Sequence, residues 1–183
     1  MRTLLVAAAI LLAASSAFAA PTLGVYFAPS HDVMDYSPPP ESFFDVYLFV
    51  YTSDFGFIYS LYYQLQTPLD PGHFHFVIAG VTYPSYVSAA TGDPFSGQGI
   101  GFWPPLNGSS PAWYLICTYE AMQEDPLEDY PLVVGPYPGN GQPVLVEFPS
   151  MAAYDITGLT SILNPSLVGT PPTSWGAIKS LYR

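Results

Sequence analysis

Basic side chains are almost missing from this sequence. Three Lys and Arg stand against 14 Asp and Glu, for a formal net charge of −11. A nucleic-acid surface neutralises phosphates with clustered Lys and Arg, so that class is excluded. Cysteine is scarcer still: Cys117 is the only one, so no disulfide can form within the chain. No apolar run reaches the about 18 residues that a membrane-spanning helix needs. Uninterrupted helical sequence is also lacking, because 21 Pro and 15 Gly are scattered through it. Pro breaks helix interiors, which disfavours bundles and coiled coils. What is abundant is apolar: half the residues are hydrophobic and 16% are aromatic. Disordered chains have neither property.

The first twenty residues read as an export signal. Arg2 gives a positive start, Leu4 to Ala14 a short apolar stretch, and Ser15 to Ala20 small residues around a cleavage point near Ala19-Ala20. The expected location is secreted, extracellular or periplasmic. Once Arg2 leaves, the remaining cations are Lys179 and Arg183, close to the C-terminus. The acidic residues all lie between Asp32 and Asp155, so the body is anionic and the only cationic handle is the tail.

Period-two apolar patterning dominates the interior. Thr22 to Ala28, Phe57 to Gln66 and Pro143 to Phe148 alternate as half-buried strands. In the second, Phe57, Tyr59, Leu61, Tyr63 and Leu65 share one face. Ser42 to Thr52, after Asp45, and Ala112 to Tyr119 are apolar on both faces, as central strands are. His73 to Val81 alternates as well. Clusters of Pro, Gly, Asp and Asn separate these runs. The pattern predicts an all-β fold: an antiparallel two-sheet β-sandwich or jelly roll over 21–168. Two stretches read as helical. Glu120 to Tyr130 allows a short turn limited by Pro126. In the segment 169–183, a Pro-containing linker leads into a short amphipathic helix or tail, with Trp175, Ile178, Leu181 and Tyr182 along one stripe.

The ending Trp175-Gly176-Ala177-Ile178-Lys179-Ser180-Leu181-Tyr182-Arg183 resembles the terminal Trp-Gly-x-x-Lys-x-Leu-Tyr/Phe-Arg element of a group of secreted proteins from environmental bacteria. Leu23-Gly24-Val25-Tyr26-Phe27 is similar to their first strand. The resemblance covers the two ends. It implies a single β-sandwich, loosely cohesin-like, and no activity or catalytic residue. Members often carry paired cysteines, which this chain does not.

Candidate chemistry is sparse. His73 and His75 leave one strand face together, as a metal-capable pair or as two solvated side chains. Glu120, Glu124, Asp125, Glu128 and Asp129 place five carboxylates in ten residues, an oxygen-rich stretch able to hold Ca2+ or a solvated loop. The carboxylates of Glu124-Asp125-Pro126-Leu127-Glu128 could in principle serve a jelly-roll glycosidase, but Pro126 breaks their alternation. No serine elbow or zinc-protease motif is present, and Cys117 lies within an apolar run, as a buried small residue does. Trp103, in the loop Gly101 to Pro105, and Tyr83, Tyr86 and Tyr137 are placed to stack on sugars or partners, or to fill the space between sheets. The resulting expectation is a non-enzymatic structural, adhesive or assembly module. Its protein or self-assembly contacts run through Trp175, Ile178, Lys179, Leu181, Tyr182 and Arg183. The alternative is a module that binds extracellular carbohydrate or Ca2+. Neither nucleic acid nor a membrane span is expected.

Overall fold

The computed structural model describes residues 21–53, 55–72, 75–124 and 126–166. The export signal, Asp54, His73, Phe74, Asp125 and the whole tail from residue 167 lie outside the described residues. The expectations placed on them, including the C-terminal helix, are therefore not addressed by the fold.

Every regular element described is a strand. They run β1 (Thr22–Tyr26), β2 (Asp35–Tyr36), β3 (Phe43–Thr52), β4 (Phe57–Gln66), β5 (Phe76–Thr82), β6 (Val87–Asp93), β7 (Gly97–Asn107), β8 (Ala112–Gln123), β9 (Tyr130–Gly135), β10 (Val144–Phe148), β11 (Ala153–Asp155), β12 (Thr157–Gly158) and β13 (Thr160–Leu163). The first sheet has the order β12-β1-β3-β8-β5. The second follows β11-β10-β4-β9-β13-β2, with β7 also on β4 and β6 on β7.

The core is made by alternation. Leu23 and Val25 of β1 and Phe44, Val46, Leu48 and Val50 of β3 point inward from the first sheet. Ile58, Leu61, Tyr63 and Leu65 of β4, Ile100 and Phe102 of β7 and Leu132 and Val134 of β9 answer from the second. Burying each such aliphatic side chain contributes about 2 kcal/mol. As expected, β3 and β8 are interior strands of their sheet. The outer face of β3 is also covered, since Phe49 is 7% exposed. His31 from the loop after β1 stacks on Trp113 at 4.6 Å, and Tyr26 meets Phe49 and Trp113 edge-on.

Four expectations need correction. The sheets are mixed, because β12 runs parallel to β1 and β13 parallel to β2. One run, 153–163, serves both sheets in a single direction. Being antiparallel to β9 and β10, it meets β1 in parallel. Residues 120–123 are not helical: they continue β8, with Ala121 and Gln123 buried and Glu120 exposed. Gly101 to Pro105 is not a free loop but part of β7. Finally, β4 does not keep one face throughout. Tyr59 is skipped in its ladders with β7 and β10, and this bulge turns Phe57 and Tyr59 outward while Leu61, Tyr63 and Leu65 stay inside.

The two sides of the sandwich differ. On one, Leu159 N–H donates to Leu23 O and Val134 N–H to Leu159 O, both at 2.8–2.9 Å, so the 153–163 run stitches the sheets together. Ser161 Oγ adds a bond to Val25 O at 2.5 Å. On the other, β5 ends the first sheet and β6 ends the second, with no strand between them.

Candidate docking surface and the placement of the sequence-picked residues

An exposed aromatic strip lies on the outer face of the second sheet. Phe57 of β4 pairs directly with Phe148 of β10, and the rings of Tyr59 and Phe148 are 6.4 Å apart. Opposite Tyr59, β7 makes a four-residue excursion between Gly101 and Leu106 that contains Trp103. Trp103 is 64% exposed and Phe57 51%. Met151, just beyond Phe148, is exposed as well. Grouped exposed aromatics of this kind mark interaction surfaces.

The sequence-picked aromatics have different fates. Only Trp103 belongs to the strip. Tyr83 and Tyr86 are half-buried against the core, and the Tyr86 hydroxyl donates to Leu115 O. Tyr137 packs edge-on to Tyr62 at 5.6 Å. Phe57, Tyr59 and Phe148 were missed as surface residues because alternation alone puts Phe57 and Tyr59 on the inner face. The only sequence signal for the flip is Trp103-Pro104-Pro105, whose second proline removes a ladder donor from β7 next to the bulge.

The four acidic positions among the described residues, Glu120, Glu124, Glu128 and Asp129, are not gathered into one site. Glu120 lies mid-sheet, opposite Asp45 of β3 and Gly80 of β5. Asp129 accepts from the N–H and Oγ of Ser166, both at 2.6 Å. These bonds hold its carboxyl below the usual range. Glu124 N–H donates to His75 O, and Glu128 lines a surface hollow beside Ser37 and Asn164. Among the described residues no three His, Cys, Asp or Glu converge as metal ligands would. Asp125 and His73 are outside the described residues.

No Lys or Arg occurs among the described residues. Their carboxylates are held by neutral donors instead. Glu147 accepts from Gly56 N–H at 3.0 Å, Ser150 Oγ at 2.7 Å and Tyr154 OH at 3.3 Å, and its pKa is lowered, first through Ser150 and then Gly56. Asp70, buried, accepts from His75 N–H at 2.8 Å and Tyr130 OH at 3.2 Å. No Lys or Arg of the described residues therefore neutralises these carboxylates, and buried Asp70 is held by its hydrogen-bond donors.

The fold is cohesin-like. The sixth cohesin of Acetivibrio cellulolyticus scaffoldin B, solved with a Cel5 dockerin, matches 80% of this chain and 99% of its own at a TM-score of 0.52 and 11% identity. The non-cellulosomal cohesin of the archaeon Archaeoglobus fulgidus matches 90% and 100% at a TM-score of 0.50 and 10% identity. The cohesin module of a Clostridium perfringens family 33 glycoside hydrolase matches 80% and 98% at 0.50 and 9%. The sequence matches no family model and no curated protein. Among the described residues, no helix is long and apolar enough to cross a membrane.

Proposed function

We propose that this chain is an exported, non-catalytic assembly module that docks polypeptide on the strip formed by Phe57, Tyr59, Trp103 and Phe148. The observation that carries the reading is the strip itself: four exposed aromatic side chains on the outer face of one sheet. Aromatic anchors of this kind supply most of the energy in protein interfaces. The cohesin-like fold supports it, since the A. cellulolyticus cohesin was solved holding a dockerin.

The occupant is the C-terminal segment of a neighbouring copy. Trp175, Ile178, Leu181 and Tyr182 provide apolar surface for the strip, and Lys179 and Arg183 bring the cations that the body lacks. Opposite charge speeds and orients such an encounter. Sedimentation of the exported protein tests this reading. At low salt the full chain self-associates, and both deletion of 174–183 and the double variant Phe57→Ser, Trp103→Ser leave it monomeric. A monomeric full chain, or association that survives both changes, overturns it. If the deletion blocks export while purified protein still assembles, the tail is a sorting signal instead. A glycan array examines sugar stacking on the same aromatics: binding lost with Trp103 would replace the peptide reading.

A further inference from the structure

The unstitched side of the sandwich opens into a cleft of about 320 Å³ between edge strands β5 and β6. Its walls are residues 78–81, Tyr83 and residues 92–95, and Gln98 and Tyr119 complete its lining. These last two are unusual for a core. Gln98 is 4% exposed and Tyr119 1%. Gln98 Oε1 accepts from Tyr119 OH at 2.7 Å and from Tyr63 OH, and the two tyrosine hydroxyls also meet each other. Gln98 Nε2 donates to Tyr83 OH at 2.9 Å. A polar relay thus runs from fully buried Tyr63 to Tyr83 in the cleft wall.

Packing alone does not call for this relay. Phe at 63 and 119 and Leu at 98 would fill similar space without the cost of desolvating a hydroxyl or an amide. Gln98 Oε1 is filled by the two tyrosines, while the second amide hydrogen of Gln98 and the hydroxyl of Tyr83 remain to meet a ligand in a pocket with apolar and aromatic walls. That combination is how proteins bind small molecules, in pockets of about 300–1,000 Å³. The volume here, at the low end, suits one ring. Charge narrows the chemistry further. The described residues hold no Lys or Arg, and Asp93 stands at the rim, its Oδ1 already accepting from Phe95 and Ser96 N–H. Phosphates and carboxylates are disfavoured there.

We infer that the cleft between β5 and β6 binds a single neutral sugar ring, with Gln98 Nε2 and the Tyr83 hydroxyl contacting its hydroxyls and Tyr83 and Phe95 its apolar face. This site is separate from the aromatic strip and does not depend on the docking proposal. Saturation-transfer NMR on the full exported chain tests it with glucose, galactose, mannose, xylose and N-acetylglucosamine, with glucuronate and glucose 6-phosphate as anionic comparisons. At least one neutral sugar is expected to give transfer, and neither anion. Gln98→Leu weakens binding on the order of tenfold, as loss of a buried hydrogen-bonding group does. Tyr83→Phe, at the mouth and compatible with folding, weakens it several-fold even if Gln98→Leu unfolds the chain. Trp103→Ser leaves it unchanged. Silence from all five neutral sugars overturns the proposal. So does equal binding of the anions, insensitivity to Tyr83→Phe, or dependence on Trp103.

Discussion

Cys117 and its neighbours show how one side chain's chemistry is set by burial. The thiol is fully buried, and burial pushes its pKa up to about 12, against the polar side chains of Tyr119 and Tyr63 beside it, which pull it down. Thiolate is the reactive form, so it is essentially absent at neutral pH. Native protein is therefore expected to resist a thiol reagent at pH 8 and to react fully once urea unfolds it. Rapid native labelling would show that the core opens. The same cluster allows a finer measurement. Tyr63→Phe removes the Tyr63 hydroxyl, but Tyr119 still donates to Gln98 Oε1. No buried acceptor is orphaned, so the cost in urea denaturation is about 1 kcal/mol. Gln98→Leu removes the acceptor the two hydroxyls share and leaves them only each other, so it is expected to cost more.

The strands test the stitched seam. A Cβ on Gly158 would sit 1.7 Å from Val134 O, backbone against backbone, at the point where β12 holds β1 and the chain passes β9. Gly158→Ala is expected to destabilise on the order of 3 kcal/mol or more. At Gly139, φ is +92° but nothing lies within 4 Å, so Gly139→Ala incurs only left-handed strain of about 1–2 kcal/mol. Equal urea midpoints for the two variants would contradict the seam as described. This scale also shows what the sequence could disclose. The limits of β4 were legible because ten alternating residues end in turn signals on both sides, and β3 and β8 were legible as interior strands because both faces are apolar. β6 was not, since Val87-Ser88-Ala89-Ala90-Thr91-Gly92 has small, uncharged residues with no hydrophobic period. The end of β8 was hidden because Glu120-Ala121-Met122-Gln123 favours helix locally, and pairing on both edges overrides that preference. The strip was hidden by a single skipped residue, Tyr59, since one slip exchanges the faces of a strand.

For the whole molecule, the missing cations set the response to solution conditions. Asp129 and Glu147 have pKa values lowered in the fold by hydrogen bonds from Ser166, and from Ser150 and Gly56. Their stabilisation is complete above the ordinary carboxylate range of about 4 and is lost as pH falls through the lower folded values. Tyr63, Tyr119 and Tyr130 have pKa values raised, chiefly by burial. Their contribution is complete below about 10 and is lost as pH rises through the higher folded values. Tyrosinate absorbance is thus expected to appear together with loss of strand circular dichroism in an alkaline titration. Smooth titration near pH 10 in a folded chain would show these hydroxyls open to water. Between those limits the dominant electrostatic term is mutual repulsion among carboxylates that meet no Lys or Arg in the described residues. Salt screens it over about 10 Å at 0.1 M. Raising NaCl from 10 to 500 mM is therefore expected to raise the thermal midpoint of the chain lacking 174–183, although salt ordinarily weakens proteins that rely on ion pairs. CaCl2 at matched ionic strength should add nothing if the effect is screening alone. A calcium-specific rise would instead require carboxylates to converge on the ion, and would point to the acidic stretch around Asp125. A midpoint that falls with NaCl would mean that attractive charge pairs outweigh the repulsion among carboxylates.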